Sequence, residues 1–374
     1  MGAFSNRTNW DQQPNALNQL LDELRREDKE FIDLTESNPT RCGFTYPSAI
    51  IQSLADRKVL EYHPDCRGIL ATREAVAAYA GADAGKIVLT ASTSESYSYL
   101  FKLLLNPYDK VLIPRPSYPL FQFLVELNDA TYEHYPLTYT NNQWRIDFDA
   151  LEALIDEHTK AIILVNPNNP TGSYIRGDDI AQLNRICFKH HLAIISDEVF
   201  FNYPIIAGDY ASLKSNDKVL TFVLDGLSKS MGLPQMKLGW IIANGPPEQV
   251  KEALERLEVI ADTYLSVNTP VQVALPQWLR AANDIQQQIL DRVKLNLFHL
   301  IEAGFNVLYD EGGWYAIINM GNIDEEAFVL EVLRKHHLLI HPGFFFDIQD
   351  PGHVVVSLLP PREQFVKINK ILQR

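Results

Sequence analysis

Residues 160–172 read KAIILVNPNNPTG, and two stretches of the same kind follow, LAIISDEVFF at 192–201 and VLTFVLDGLSK at 219–229. Each begins with an apolar run and ends in polar residues, glycine or proline. A continuous apolar run is typical of a strand buried on both faces of a mostly parallel sheet, because an exposed face would require alternating polar residues. Three more runs have this character: IVLTAS (87–92), DKVLIPRPSY (109–118) and KLGWIIAN (237–244). The sequence therefore predicts an α/β fold with a large, mostly parallel sheet.

The chain of 374 residues is longer than one ordinary domain, and a second region follows the sheet-forming one. After a helix at 246–264, the pattern predicts further helices near 284–303, 324–337 and from 362 to the end, and strands within 313–320, 338–346 and 353–359. We predict a large domain over 46–259 and a smaller α+β domain formed by 1–45 together with 260–374. The amphipathic helix at 14–28 is expected to pack with the smaller domain.

The bulk composition excludes several classes of protein. A net charge of −14 argues against nucleic-acid binding, because phosphate backbones require clustered lysine and arginine. No apolar run approaches the ~20 residues that span a bilayer, and the N-terminus lacks the apolar core of a signal peptide. The cysteines, Cys42, Cys66 and Cys187, show no paired spacing, which indicates a reducing, cytoplasmic environment. No metal-ligand spacing occurs, so no metal site is predicted.

Polar groups follow two of the predicted strands. The turn at 166–172 contains three asparagines and two prolines, which favours an amide aimed at a ligand over an ordinary turn. Asp197 ends the next run, where a carboxylate costs free energy unless it meets a cation or strong donors; the alternative is a cap on a helix or loop. Since open α/β sheets bind ligands at the carboxyl ends of their strands, each of these groups is a candidate ligand contact.

Lys229 follows the third run and precedes Ser230-Met231-Gly232. An amine surrounded by apolar and small residues has a lowered pKa and can act as a nucleophile. The alternative is an ordinary surface lysine.

Two further strand ends carry candidate ligand groups. Ser92-Thr93-Ser94-Glu95 opens an amphipathic helix, and its hydroxyl and N–H groups suit a phosphate; the alternative is a simple N-cap box. Tyr118 follows the run at 109–118, where its ring either stacks on a flat cofactor or fills the core.

Taken together, these motifs resemble the class I/II aminotransferases, which are fold-type-I pyridoxal-phosphate (PLP) enzymes. The resemblance covers nearly the whole chain, in the order phosphate turn, PSYP (116–119), NPNNPTG (166–172), SDEV (196–199) and GLSKSMGLPQMKLGW (226–240). It implies an aspartate-aminotransferase-like fold, the cofactor pyridoxal 5'-phosphate, a homodimer, and transfer of an amino group between an amino acid or amine and an oxo acid. A nicotinamide enzyme, the rival interpretation, lacks its GxGxxG turn here.

The resemblance assigns a role to each matching residue. Lys229 would hold PLP as a Schiff base and later shuttle a proton, and Asp197 would face the pyridine nitrogen. Asn169 would donate to the phenolic oxygen, and Tyr118 would stack on the ring. The phosphate would be bound by hydroxyl groups and one base: Ser92, Thr93, Ser94, Ser228 and Lys237. Tyr62 would reach the phosphate of the neighbouring subunit.

Two departures from the family concern the cofactor. Lys237 stands where the family usually has arginine, so the charge is kept but a bidentate grip on phosphate is lost. Phe200 stands where a tyrosine hydroxyl commonly donates to the phenolic oxygen. With one donor fewer, that oxygen should hold the imine proton more tightly, so Phe200→Tyr is expected to lower the pKa of the Schiff base.

The largest departure concerns the substrate carboxylate. The family typically grips it with an arginine in the last strand, where this chain has Val355, and Ser37 replaces the glycine of the substrate loop. The candidate substrate contacts are Ser37, Asn38, Arg41 and Asn169. Either Arg41 takes the role of the missing base, or it is a solvated surface residue and the substrate lacks, or presents differently, a conventional α-carboxylate.

Three functions remain open at this point. The first is an aminotransferase, the second a PLP-dependent lyase of the β-elimination type, and the third a non-catalytic PLP-binding module. The pocket is expected to contain aromatic residues, which indicates a bulky or apolar substrate: Phe44, Tyr46, Trp314, Tyr315 and Phe344.

Overall fold

The computed structural model describes residues 3–62 and 64–372. Its strands are β1 (Ile32–Asp33), β2 (Ile87–Thr90), β3 (Lys110–Arg115), β4 (Thr131–Thr140), β5 (Gln143–Ile146), β6 (Thr159–Val165), β7 (Ala193–Asp197), β8 (Thr221–Gly226), β9 (Gly239–Asn244), β10 (Tyr315–Asn319), β11 (Leu338–Leu339), β12 (His341–Pro342) and β13 (His353–Ser357). Its α-helices are α1 (Ala16–Arg26), α2 (Ala49–Gln52), α3 (Leu70–Ala80), α4 (Thr93–Leu104), α5 (Leu120–Glu126), α6 (Phe148–Ala153), α7 (Gly177–His190), α8 (Leu227–Ser230), α9 (Pro247–Tyr264), α10 (Thr269–Arg280), α11 (Ala282–Glu302), α12 (Glu325–His336), α13 (Arg362–Phe365) and α14 (Ile368–Leu372).

Eight strands form one large sheet in the order β2-β9-β8-β7-β6-β3-β4-β5. Five neighbouring strands, β8, β7, β6, β3 and β4, run parallel to one another. β9 is antiparallel to both of its neighbours, and β5 is antiparallel to β4. The register places Asp197 at the end of β7, between Val165 of β6 and Leu224 of β8. The predicted α/β fold with a mostly parallel sheet is confirmed.

Apolar side chains on both faces hold this sheet between two layers of helices. On one face, Ile162 and Leu164 pack with α3, α7 and α10; on the other, Ile163 and Val165 pack with α4, α5 and α9. Burial on both faces explains why the strands read as continuous apolar runs. Each such side chain contributes roughly 1.5–3 kcal/mol when it leaves water, so this double core is the rigid support of the strand ends.

A smaller antiparallel sheet, in the order β10-β13-β12, is built from the C-terminal region. Its residues alternate between two environments. One face packs with α1, α11 and α12 in a second core through Ala316, Ile318, Val354 and Val356. The other face carries Ile317 and Val355 in a separate apolar cluster. The leucines of α1 belong to this second core, together with residues of α11 and α12.

Some elements differ from the sequence interpretation. β4 and β5 form a hairpin that was not predicted, because its residues are mostly half-buried and lack a continuous apolar run. The helix predicted from 362 onward is interrupted between α13 and α14, and residues 373–374 lie outside the described part. The apolar side of α10 belongs to the core of the large sheet. The domain boundary at 259 stays a prediction.

Candidate active site

Three neighbouring strand ends of the large sheet bring the predicted catalytic groups together. β7 ends with Asp197, β6 leads into the turn at 166–172, and β8 leads directly into α8, which carries Lys229. Because these strands are parallel neighbours, their carboxyl ends meet at one edge. The negative charge of Asp197 acts on the Lys229 amine, so the two groups belong to one site.

The Asp197 carboxylate is held by two donors. The hydroxyl of Tyr97, on α4, donates to Oδ2 at 3.1 Å, and the backbone N–H of Val199 donates to Oδ1 at 3.2 Å. Burial raises the pKa of Asp197 to about 6; the two hydrogen bonds lower it, and the charges of Asp225 and Glu198 raise it. A cation placed against this carboxylate would stabilise its ionised form.

The Lys229 amine lies among aromatic rings. Its Nζ is 5.0 Å from the ring centre of Trp314 and 5.4 Å from that of Phe200. Burial lowers the pKa of Lys229 to about 8, and the charge of Asp197 raises it. The hydroxyl of Tyr203 donates to the Lys229 carbonyl oxygen at 2.5 Å and so fixes the backbone of α8. A neutral amine is therefore available near physiological pH, as a nucleophile requires.

The turn at 166–172 presents a buried amide. Asn168 donates its Nδ2 to the Pro116 carbonyl oxygen at 3.2 Å, which ties the turn to the loop after β3. Asn169 is 8% exposed, and its Oδ1 has no hydrogen-bond partner among the described residues. An unpartnered buried oxygen is costly, so this amide is suited to a ligand.

The segment at 92–95 is an N-cap and keeps free donors. Ser92 Oγ accepts from the Glu95 N–H at 3.1 Å, and the Glu95 carboxylate accepts from the Ala91 N–H. This geometry confirms the N-cap interpretation. It does not use the N–H groups of Thr93 and Ser94, which lie at the amino terminus of α4, where a helix offers no acceptor and attracts anions.

Two paired glycines bring β8 and β9 close to this segment. A Cβ at Gly239 would lie 3.2 Å from atoms of the Ser92–Thr93 peptide, and a Cβ at its partner Gly226 would lie 3.0 Å from the Gly239 Cα. Ser228 and Lys237 each stand two residues from one of these glycines. The close approach therefore sets the backbone of β9 against the amino terminus of α4. The sequence interpretation had not used these glycines.

The other predicted cofactor contacts are more exposed. Lys237 is exposed and has a φ of 51°. Tyr118 is 45% exposed, and its hydroxyl acts electrostatically on Tyr315. Tyr62 is 71% exposed on the surface of the chain, where it is accessible to another molecule.

The predicted substrate loop contacts the small sheet through one residue. The Ser37 side chain forms a hydrogen bond with Tyr315 at the start of β10, and Asn38 caps the following 3-10 turn. The Arg41 side chain is 74% exposed and lies 3.6 Å from the Glu36 carboxylate. Arg41 is therefore already engaged at the surface.

Val355, at the position of the family arginine, is fully buried in an apolar environment. It lies between Ile317 on β10 and His341 on β12 in register, and it packs in a cluster with Phe346. Val355 therefore offers no charge to a substrate carboxylate.

The aromatic residues predicted for the pocket have different positions. Trp314 and Tyr315 lie at the site as described above. Tyr46 instead donates to a backbone carbonyl after α8 at 2.6 Å, Phe44 lies 5.2 Å from an arginine guanidinium, and Phe344 is 46% exposed.

Two tyrosines that contact the catalytic residues were not predicted. Tyr97 reaches Asp197 across 100 positions of the sequence, and Tyr203 reaches the Lys229 backbone across 26. The signal for Tyr97 was its place in the first turns of α4, beside the predicted phosphate segment. Nothing in the sequence pattern marked Tyr203.

Within residues 3–62 and 64–372, no group of three or more His, Cys, Asp or Glu side chains is arranged to hold a metal ion. Helices long and apolar enough to cross a membrane are likewise absent from this part of the chain.

Comparison with known proteins identifies the family. The sequence model of the family described as "Aminotransferase class I and II" matches residues 29–364. The chain belongs to the class I and II aminotransferases. A glutamate-pyruvate aminotransferase of Haemophilus influenzae is 28% identical over 358 residues, which cover 90% of this chain and 88% of that protein. An alanine aminotransferase of Mycobacterium tuberculosis is 28% identical over 360 residues, covering 90% and 83%.

Solved structures of aminotransferases have the same fold. An alanine aminotransferase from Pyrococcus furiosus superposes with a TM-score of 0.85 at 26% identity, covering 96% of each chain. An aspartate aminotransferase from Thermotoga maritima superposes with a TM-score of 0.84 at 24% identity, covering 99% of this chain and 100% of that one. The aspartate-aminotransferase-like fold and the reaction class, transfer of an amino group between a donor and an oxo acid, are confirmed. The family is PLP-dependent.

Proposed function

We propose that this aminotransferase holds PLP as a Schiff base on Lys229 and moves an amino group between an amino acid or amine and an oxo acid. The observation that carries the proposal is the Lys229 amine, whose pKa burial lowers to about 8, beside the Asp197 carboxylate at the edge of the sheet. PLP enzymes hold their cofactor on a lysine and set a charged partner against the pyridine nitrogen.

The polar groups around Lys229 fit PLP. We infer that Asp197 holds the ring nitrogen, that Asn169 donates its Nδ2 to the phenolic oxygen, and that Tyr118 covers one face of the ring. The unpartnered Oδ1 of Asn169 is then available to the amino group of a substrate. The phosphate is bound by donors at the start of α4 and by residues near the paired glycines: Ser92, Thr93, Ser94, Ser228 and Lys237.

Bound PLP supplies an electron sink for the bond that breaks at the substrate Cα. The side chains of the protein hold and move the protons. Asp197 stabilises a protonated ring nitrogen, and Tyr97 orients Asp197 for this role. With PLP bound, the free Lys229 amine would accept the proton that leaves the substrate Cα and would deliver it to the imine carbon of the cofactor. A pKa near the working pH is the best one for such a transfer.

The names of the relatives support an amino-acid donor. One is a glutamate-pyruvate aminotransferase and another an alanine aminotransferase, so their substrates are amino acids and an oxo acid. A β-eliminating lyase would use the same cofactor contacts, and a non-catalytic PLP-binding protein would keep the cofactor alone. The experiment below separates the three.

We also propose a homodimer in which Tyr62 reaches the phosphate of the partner subunit. Its surface segment carries other exposed apolar side chains, including Ile51 at 73% and Leu60 at 81%, as an interface would. The three cysteines are free, which supports a reducing, cytoplasmic location. The division into a large domain (46–259) and a small one (1–45 with 260–374) remains part of this proposal.

The test combines a chemical label with half-reactions. Borohydride reduction of the PLP-loaded protein followed by peptide mass mapping should place the cofactor on Lys229. Lys229→Ala should abolish the label, while Lys160→Ala, near the opposite end of β6, should keep it. A panel of amino acids and amines should discharge the cofactor absorbance, and oxo acids should restore it.

Ammonia or thiol release without an oxo acid would replace the transferase by the lyase. A labelled but inert protein would support the non-catalytic module. Label on another lysine would contradict the proposal for Lys229.

A further inference from the structure

One face of the β10-β13-β12 sheet is turned toward the site. Alternate residues of a strand share a face, so Tyr315 and Ile317 lie on the same side as Val355. His341 is the register partner of Val355 on β12 and lies on that side too. Since Tyr315 contacts Ser37 of the substrate loop, this face forms one wall of the site.

A row of ring contacts connects this wall to the catalytic lysine. The Phe200 ring lies 5.4 Å from the Lys229 Nζ, and the ring centres of Phe200 and Tyr315 are 6.4 Å apart. The next steps are 6.1 Å from Tyr315 to Phe346 and 5.8 Å from Phe346 to His341. His341 therefore stands at the far end of an aromatic row that starts at the reacting amine.

His341 is the side chain of this wall that can become a cation by taking up a proton. Val355 beside it is apolar, and Arg41 of the substrate loop is exposed and engaged by Glu36. Burial lowers the pKa of His341 to about 4, while Asp33, on β1, raises it through its charge. Among the described residues, Asp33 is the charged group that acts on His341; the rings and aliphatic side chains packed against it carry none.

We propose that His341 binds the carboxylate of the substrate and takes up a proton as it does so. The inference rests on the proposed function, because the carboxylate meant is that of the amino acid or oxo acid. It makes His341 the residue that replaces the missing arginine.

The physical reason is a change of protonation on binding. In the free site, burial keeps the imidazole neutral. An entering carboxylate favours the charged form, and the imidazolium then donates a charge-assisted hydrogen bond. Asp33 stabilises the same charge from the side of β1. Val355, the register partner of His341, carries no charge that would compete with the imidazolium for the carboxylate.

This mechanism fixes the sign of a pH dependence. The pKa of His341 is low in the free site and higher in the complex, so binding takes up a proton between the two values. Affinity is therefore highest at low pH, and the Kd rises by about tenfold per pH unit between the two pKa values. An arginine would stay charged throughout and give no such dependence.

The test uses a carboxylate that cannot react. Calorimetry of the PLP-loaded protein with 3-phenylpropanoate, in two buffers of different ionisation enthalpy, should show uptake of about one proton per ligand at about pH 6–7. The amide 3-phenylpropanamide should bind more weakly and without a pH dependence. His341→Gln should weaken carboxylate binding by about tenfold or more at low pH and remove its pH dependence.

Two further variants complete the experiment. Val355→Arg in the His341→Gln background should restore carboxylate binding without a pH dependence. Loss of binding in Arg41→Ala would assign the carboxylate to Arg41 and overturn the inference. Binding of 3-phenylpropanoate without proton uptake, or an amide that binds as well as the acid, would overturn it too. If the glutamine variant does not fold, His341→Asn replaces it in the same comparison, and absorbance of the PLP-loaded protein separates proton uptake at the imine from uptake at His341.

None of these measurements needs turnover. A protein that binds the carboxylate through His341 but transfers no amino group would refute the proposed function and keep this inference. A protein that transfers amino groups but binds 3-phenylpropanoate without proton uptake would refute this inference and keep the proposed function.

Discussion

At the scale of single residues, burial moves the pKa values of the two proposed catalytic groups toward each other. It raises that of Asp197 to about 6 and lowers that of Lys229 to about 8. Both residues could be singled out from the sequence, because each ends an apolar run where a charge is out of place, but their roles came from the resemblance to the family. Their partner Tyr97 could not, since its contact with Asp197 joins positions 100 apart.

The first prediction concerns Phe200, which is 4% exposed and packs edge-on against Trp314 at 5.1 Å. Phe200→Tyr adds a hydroxyl near the Lys229 amine. If that hydroxyl donates to the phenolic oxygen of PLP, the oxygen holds the imine proton less tightly. Absorbance of the PLP-loaded variant against pH should then titrate about one to two units lower, since one hydrogen bond to a charged group is worth roughly 1.5–3 kcal/mol.

A matched change controls for the added bulk and polarity. Phe201→Tyr places the same hydroxyl one residue along the chain, where the ring lies near Lys214 instead of Lys229. This control should leave the titration unchanged. An identical titration of Phe200→Tyr and the unmodified protein would mean that the hydroxyl does not reach the cofactor.

At the scale of elements, the strands that are buried on both faces could be predicted from the sequence, and the half-buried strands could not. The buried strands β6, β7 and β8 follow from their apolar runs, and each begins within one or two residues of the start of its run. The hairpin β4–β5 was missed because its side chains are mostly half-buried. A signal was present in Asn141-Asn142, since two adjacent asparagines are a typical two-residue hairpin loop.

That loop gives the second prediction. Asn141 and Asn142 have φ of 52° and 58°, and Thr140 pairs with Gln143 across them. A β-branched residue is strained at positive φ, so Asn142→Val should lower the free energy of unfolding by about 1–2 kcal/mol. Asn142→Gly, which tolerates this conformation, should change it by less than about 0.5 kcal/mol. Urea denaturation of the three proteins makes the comparison, and equal stabilities would argue against this turn.

At the scale of the whole molecule, the fold class could be predicted but the packing of its parts could not. The sequence indicates a large sheet and a smaller unit. It does not show that α10 joins the core of the large sheet or that β12 brings His341 beside Val355, because both depend on contacts between distant segments.

The third prediction tests the proposed homodimer by complementation. Lys229→Ala and Tyr62→Ala subunits should each be inactive or strongly impaired alone. When they are mixed and allowed to exchange, half of the dimers are mixed, and each mixed dimer has one site with both residues intact if Tyr62 serves the partner. Activity should then recover to about a quarter of the wild-type value. If Tyr62 serves its own subunit, or if the chain stays monomeric, mixing should restore nothing.

The alternation along β10 and β13 also bears on how such a protein diversifies. Residues 316, 318, 354 and 356 point into the core that keeps the smaller unit folded, whereas 315, 317 and 355 face the substrate side. If this side binds the substrate as inferred, a mutation at an odd-numbered position would change what the site accepts and would leave the contacts of the even-numbered residues with the second core in place. Selection can therefore explore new substrates on one side of these strands while the other side is held constant, and a valine in place of an arginine is a change of this tolerated kind.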